Sequence, residues 1–355
     1  MPTTEERLAA LETKLAALTA TTPTTYYTHQ YSGEEIDAAV GRAVAGGTLD
    51  TSVTNVSNQL GTFTRPNLLD NWYFGNPINQ RGQTEYTGNG YTVDRWFFDT
   101  DSGSCALTLT TEGLNFIATA SATGIASLKQ DIDPTMLSVF AGKTVTLSIL
   151  GKTDISQQVL FYVNSKVAAI KSSPAVNGVC MTTLTYTFPA VLENAAIFAY
   201  GRSYSGAGEG TILAAKLELG SNQTLAHREG DKWVLNEVPN YGDQLARCQR
   251  YFVRFAKFTN IVGRAVNANS CQFIVPTPVT MRDKPVISDT NITSWRVSDA
   301  AGKYITITGI HAYPSGVQPS YITIFVDSAA AFNAGAIYAL TRTDASGPVS
   351  LSADL

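Results

Sequence analysis

Between Arg65 and about Asn222 the hydrophobic residues recur with a period of two, and this pattern restricts the fold more than any other feature. Successive side chains of a β-strand point to opposite faces, so the pattern predicts strands with one buried face. Gly, Asn, Asp and Ser turns separate the runs, which predicts an antiparallel sandwich of about 155 residues. The alternating runs are Leu107 and Leu109; Leu114, Phe116 and Ala118; Val145, Leu147 and Ile149; Val159, Phe161 and Val163; Leu184, Tyr186 and Phe188; and Leu213, Ala215, Leu217 and Leu219.

A second strand-rich region follows this sandwich. Residues 223–242 are polar and rich in turn formers, which predicts a linker, and residues 243–355 are predicted to form a C-terminal β domain. That domain begins with a short helix that places Leu245, Cys248, Tyr251, Phe252 and Phe255 on one face. Its predicted strands include Phe273–Val275, Trp295–Val297, Tyr304–Thr308 and Tyr321–Val326.

The first 64 residues follow a different, helical pattern. Two stripes have apolar residues three and four positions apart, as in short coiled coils. They are Leu8, Leu11, Leu15 and Leu18, and Leu49, Val53, Val56 and Leu60. Two heptads do not hold a helix alone, so the stripes predict a stalk that assembles with identical copies as a homotrimer. The alternative is an amphipathic helix packed on its own domain.

Composition excludes several classes of protein. The net charge is −4, and charged residues are only 15% of the chain, against about 25% in typical soluble domains. Nucleic acid is therefore not an expected partner, because phosphate binding needs a basic surface. The N-terminus is charged where a signal peptide is apolar, and no run of about 18 apolar residues occurs, so we expect neither a signal peptide nor membrane insertion.

Catalytic and metal-binding motifs are absent from the sequence. The cysteines Cys105, Cys180, Cys248 and Cys271 lack the CxxC spacing of zinc and redox sites. The three histidines, His29, His227 and His311, fall in three different predicted regions, so no Ser/His/Asp set forms within one domain. We therefore expect no enzyme activity, no cofactor and no bound metal.

Several short segments resemble a module that is frequent in bacteriophage tail and virion structural proteins. They are PNLLDNWYF at 66–74, NQRG at 79–82, YTVDRW at 91–96, AKLELG at 215–220 and QLARCQRYF at 244–252. The segment YSGEEIDAAV at 31–40 is similar to short helices near the N-terminus of such proteins. The resemblance implies a jelly roll of the carbohydrate-binding-module type, carried on a phage fibre or receptor-binding protein.

Aromatic residues are the candidate binding groups, because sugar rings present apolar C–H faces that stack on aromatic rings. Trp72 and Trp96 are expected in the core, since Trp96 and Phe98 follow the period of two. The candidate glycan contacts are Tyr86, Tyr91, Arg81, Arg202 and Tyr204.

These observations favour a virion fibre protein, interpreted as a tail fibre or receptor-binding protein that adheres to host surface glycans without catalysis. An alternative is a head or collar fibre with a structural role, and a third is a glycan depolymerase, for which Glu112, Glu193, Glu209 and Glu218 are the scattered acidic candidates. The expected partners are identical copies, other virion proteins through the stalk, and a host-surface glycan. The expected location is the virion, after synthesis in the host cytoplasm.

Overall fold

The structure is a computed structural model, and Met1–Phe63 and Thr64–Leu355 form two separate compact units. It describes residues 3, 5–7, 9–10, 12–13, 65–100, 105–118, 123–153, 158–173, 176–205, 207–255, 260–288, 291–313, 320–329, 331–342 and 348–354. The eight apolar residues of the predicted stalk lie outside these described residues.

Two six-stranded antiparallel sheets build the first half of the second unit. The first sheet has the order β1 (Glu85–Tyr86), β4 (Cys105–Leu109), β5 (Leu114–Ala118), β12 (Gly208–Leu219), β7 (Thr144–Thr153) and β10 (Val176–Thr187). The second has the order β2 (Gly90–Tyr91), β3 (Phe97–Thr100), β6 (Thr123–Asp131), β11 (Ala195–Ser205), β8 (Gln158–Val163) and β9 (Lys166–Ser172). The chain passes repeatedly from one sheet to the other, as in a jelly roll. A 3₁₀ turn (Pro134–Met136) and the short helix α1 (Leu137–Phe140) connect β6 to β7.

The alternating residues form one hydrophobic core between these two sheets. Leu107, Phe116, Leu147 and Phe161 are each at most 1% exposed, which confirms the predicted sandwich. Trp72 and Trp96 also lie in this core, as predicted.

The run in β12 departs from the expected alternation. The pairing register of β12 with β7 shifts between Ile212 and Ala214, and Leu213, which lies at this shift, is only partly buried. Leu219, at the end of the strand, is exposed. Lys216 and Glu218, expected on a solvent-facing side, are fully buried.

The segment interpreted as a linker covers those two charged residues. It contains a hairpin of β13 (Ala226–Glu229) and β14 (Lys232–Leu235), whose Trp233 packs against the core. Lys216 Nζ donates to Glu237 Oε1 at 3.0 Å, and Thr224 donates its N–H and hydroxyl to the Glu218 carboxylate at 2.6 Å each. Residues 223–237 are therefore part of the packed structure, because buried charges need such partners.

The C-terminal half begins with helix α2 (Tyr241–Gln249), which Asn240 caps. The predicted helical face is wrong beyond this point, because Phe252 and Phe255 belong to a strand and Tyr251 lies between helix and strand. A three-stranded sheet has the order β15 (Phe252–Phe255), β24 (Val349–Ser352) and β18 (Val286–Ile287). A seven-stranded sheet has the order β20 (Tyr304–Ile305), β19 (Trp295–Asp299), β23 (Ile337–Arg342), β16 (Ile261–Ala265), β17 (Ser270–Pro276), β22 (Tyr321–Ser328) and β21 (Ile307–Tyr313). Side chains of both sheets form a second hydrophobic core, so this half is also a β-sandwich.

Polar contacts join the two halves of this unit. The Tyr251 hydroxyl donates to Asp133 Oδ2 at 2.6 Å, and the Arg95 guanidinium lies 3.5 Å from the centre of the Tyr251 ring. Arg247 of α2 forms an ion pair with Asp70 at 2.6 Å. Within the described residues, no helix has the length and the apolar content required to cross a membrane.

Candidate functional site

The five predicted contact residues do not form one exposed site. Tyr86 is only 6% exposed and its hydroxyl donates to the carbonyl of Gln83, so the expectation that its ring is accessible is wrong. Arg202 and Tyr204 lie in β11, and their side chains are outside the described part of the structure. Tyr91 is partly buried, at the edge of the second sheet.

Arg81 packs between the two halves of the unit. Its guanidinium carbon lies 3.8 Å from the centre of the Phe252 ring and 4.8 Å from that of Tyr91. Its Nη2 donates to Asp354 Oδ2 at 2.6 Å. Arg81 is therefore a structural contact with the C-terminal half and supports Tyr91 from one side, because a cation over an aromatic ring is attracted to its face.

Burial shifts two pKa values beside Arg81. Asp94 is fully buried, and desolvation raises the pKa of its carboxyl to about 6 although Gln80 donates a hydrogen bond to it. Desolvation, followed by the nearby Asp94 charge, raises the pKa of Tyr86 to about 12. A group with a perturbed pKa is a functional candidate only in an accessible cleft, so this buried cluster is structural.

The outer face of the second sheet carries aromatic side chains that the core does not use. The inward residues Phe98, Leu128, Ile197 and Phe161 are fully buried. Their chain neighbours Phe97, Lys129, Phe198 and Tyr162 therefore point outward. We call Tyr91, Phe97, Lys129, Phe198, Tyr162 and Ile170 the outer aromatic face.

Strand pairing aligns most of the outer aromatic face in one row across six strands. Tyr91 pairs with Phe97, Phe97 with Lys129, Lys129 with Phe198, Phe198 with Leu160, and Leu160 with Ile170. With strands about 4.8 Å apart, the row spans about 24 Å. Tyr162 stands beside it, with its ring centre 6.2 Å from that of Phe198.

The rings of this face are partly accessible and polar groups lie among them. Tyr162 is 36% exposed and Ile170 is 50% exposed. Lys129 Nζ lies 5.5 Å from the Phe97 ring centre and pairs with Asp131 at 3.4 Å. Asp99, two residues after Phe97, is exposed on the same side. The face can thus contact both apolar and hydroxyl-bearing surfaces of a ligand.

Sequence reasoning identified Tyr91 but missed Phe97, Phe198 and Tyr162. The sequence does contain a signal for these three residues, because each is the direct neighbour of a buried residue in its own strand and therefore lies on the opposite face of the sheet. Among the residues that the structure describes, no group of three or more His, Cys, Asp or Glu side chains is placed to hold a metal ion.

No family model and no curated protein matches the chain, whereas solved structures do match it. A carbohydrate-binding module of the CBM4 type is 20% identical and covers 36% of this chain and 95% of its own, with a TM-score of 0.28. TmCBM61, solved with β-1,4-galactotriose, is 10% identical and covers 44% of this chain and 100% of its own, with a TM-score of 0.30. The active domain of tailspike protein 4 from bacteriophage CBA120 is 15% identical and covers 43% of this chain, with a TM-score of 0.27, and the match spans only 21% of the tailspike chain.

Proposed function

We propose that this chain binds glycans, without modifying them, through the outer aromatic face. The observation that carries the proposal is the row across six strands, which contains the partly exposed rings of Tyr91, Phe97 and Phe198 and the side chain of Lys129, with Tyr162 and Asp99 beside it. Sugar rings have apolar C–H faces that pack on aromatic rings, and hydroxyls that exchange hydrogen bonds with charged side chains. The outer aromatic face supplies both kinds of contact.

The proposal includes a place on a bacteriophage virion, as a tail fibre or receptor-binding protein. The sequence resemblance at 66–74, 79–82 and 91–96 supports it, and a head or collar fibre is the alternative. In this proposal residues 1–64 attach and trimerise the fibre, residues 65–222 are the glycan-binding domain, and residues 243–355 are a second β domain.

Removing two rings from the outer aromatic face is expected to weaken glycan binding. Phe198→Ala combined with Tyr162→Ala deletes two neighbouring rings, and at about 1 kcal/mol for each ring the affinity falls about thirtyfold. A glycan array identifies a bound glycan, and calorimetry with that glycan measures the change.

Tyr304→Ala is the matched control, because this ring is 64% exposed but lies on the second sandwich. Circular dichroism verifies that each variant is folded. Equal affinities of the double variant and the unchanged protein, or an equal loss in Tyr304→Ala, contradict the assignment of the face.

The chain is expected to be a homotrimer in solution. Light scattering coupled to gel filtration should give three times the chain mass, and removal of residues 1–64 should leave a monomer with both β-sandwiches folded, since Thr64–Leu355 is a compact unit. Three linked weak sites gain avidity, so the truncated protein should also bind cells less tightly. A monomeric full-length chain contradicts the coiled-coil interpretation.

A further inference from the structure

A cleft of about 120 Å³ lies where β6, the turn at 134–136 and the end of α2 meet. Its buried lining includes Arg95, Gln130 and Tyr251. Met136 and Arg250 line it from exposed positions. Pockets that enclose a whole drug-sized ligand have about 300–1,000 Å³, so this cleft suits one small group such as part of a sugar residue.

Every carboxylate of the cleft already has a cationic neighbour. Asp70 pairs with Arg95 at 3.0 Å and with Arg247 at 2.6 Å. Asp131 pairs with a lysine of its own strand at 3.4 Å. Asp133 accepts the Tyr251 hydroxyl at 2.6 Å and lies 3.9 Å from an arginine nitrogen. These acids are therefore compensated before any ligand arrives.

Each carboxylate of the cleft is paired with a cation other than Arg250. The lining contains three acids, Asp70, Asp131 and Asp133, and three cations, Arg95, Arg247 and Arg250, while Lys129 and Arg282 pair with Asp131 and Asp133 from outside the lining. Arg250 forms no ion pair within the part of the chain that the structure describes. A guanidinium is well suited to bind a carboxylate through two parallel hydrogen bonds.

Much of the remaining lining is apolar. Leu68, Ile132 and Phe140 form part of the walls and Met136 stands beside them. A ligand with one anionic group and an apolar face matches such a lining better than a fully hydrated inorganic ion does.

The cleft and the outer aromatic face share strand β6. Asp131 lines the cleft and, two residues from Lys129 on the same strand, also lies on the outward side of the second sheet. Lys129 and Asp131 are about 7 Å apart along β6, so one glycan chain is long enough to contact both the face and the cleft.

We propose that the cleft binds the carboxylate of an acidic sugar residue, with Arg250 as its partner, so that the protein selects glycans containing uronic acids or similar sugars. The role in selecting a glycan rests on the proposed function. The affinity of the cleft itself for a carboxylate-bearing sugar is measured with a monosaccharide, and this measurement does not depend on the proposed function.

Methionine provides a direct reporter, because Met136 is the one that lines the cleft among the three methionines that the structure describes. The full-length chain is labelled with ¹³C-methyl methionine and titrated with sodium glucuronate to about 50 mM, since a single weak site binds in the millimolar range. The methyl signal that is absent from the spectrum of Met136→Leu is assigned to Met136. Met281, buried in the second core, and Met181, packed against the first core, are internal references.

The expected result is a saturable shift of the Met136 methyl signal with glucuronate, no shift with glucose, and weaker binding of acetate. Arg250→Gln should weaken glucuronate binding about tenfold, because it removes a charged hydrogen-bond donor. Lys303→Gln is the matched control, since it makes the same change in charge at an exposed residue of the second sandwich.

The proposal is overturned if glucuronate leaves Met136 unchanged, if glucose or acetate binds equally well, or if Arg250→Gln has no effect. Failure of the proposed function gives a different result, in which Phe198→Ala with Tyr162→Ala binds glycans normally. The two outcomes are distinguishable because the Met136 titration uses a monosaccharide and does not depend on the outer aromatic face.

Discussion

Trp96→Ala is expected to lower the free energy of unfolding by about 4 kcal/mol, the middle of the range for removal of a large buried aromatic side chain. Trp96 is fully buried, and its ring centre lies 5.1 Å from that of Phe74. Its Nε1 donates to the carbonyl of Asn71 at 2.9 Å. The substitution leaves a cavity and removes the partner of a buried carbonyl, and both effects destabilise the fold.

Urea denaturation followed by circular dichroism measures this loss. Trp96→Phe should lower the free energy of unfolding by less, because Phe still fills most of the volume with an aromatic ring and only the hydrogen bond and a small volume are lost. Tyr304→Ala, at an exposed position, should change stability by no more than about 0.5 kcal/mol. A loss below about 1 kcal/mol in Trp96→Ala would show that the core around Phe74 rearranges to fill the cavity.

Stability is expected to fall by about 2 kcal/mol, through Asp94 alone, as the pH rises from about 4 to about 6, and by about 3 kcal/mol over the whole transition. Burial raises the pKa of Asp94 from 3.8 to about 6, so between these values the folded state holds a proton that the unfolded state has released. The contribution is therefore present at low pH and is lost as pH rises through the folded-state pKa.

The groups facing Asp94 come from both halves of the unit. Gln80 donates to its Oδ2 at 2.7 Å, Arg81 Nε lies 4.0 Å from its Oδ1, and the negative charge of Asp354 opposes its ionisation. Tyr86 also lies within electrostatic range. Arg81 and Gln80 favour the charged form, but desolvation has the largest effect.

Asp94→Asn isolates this contribution, because the amide keeps a hydrogen-bond acceptor for Gln80 and does not titrate. The unfolding free energies of both proteins are compared at pH 4, 5, 6 and 7. The unchanged protein should lose stability relative to the variant across this range. Parallel curves would mean that Asp94 titrates as it does in the unfolded chain.

The period of two was sufficient to predict the first sandwich because both of its sheets face one core. It did not predict the burial of Lys216 and Glu218, which depends on residues 223–237 folding back over β12. Such a contact leaves no local pattern, since the covering segment is itself polar and rich in turns.

For the candidate site, the sequence identified aromatic residues without their neighbours. Tyr86 and Tyr91 flank one turn, yet Tyr86 faces the core and Tyr91 lies at the edge of the outer row. Phe97 and Phe198 meet on that row only through Lys129 between them, and this pairing depends on the order of the strands. Strand order follows from tertiary packing and cannot be deduced from one sequence.

The outer aromatic face also has a handedness. Neighbouring strands rotate by roughly 20° relative to each other, so the outward directions at Tyr91 and Ile170, five strand spacings apart, differ by roughly 100°. A straight, rigid ligand can lie flat on only part of this row. A chain molecule that turns about its own axis in the matching sense can follow all of it, so the proposed glycan site is expected to select polymers by their helical shape as well as by their chemical groups.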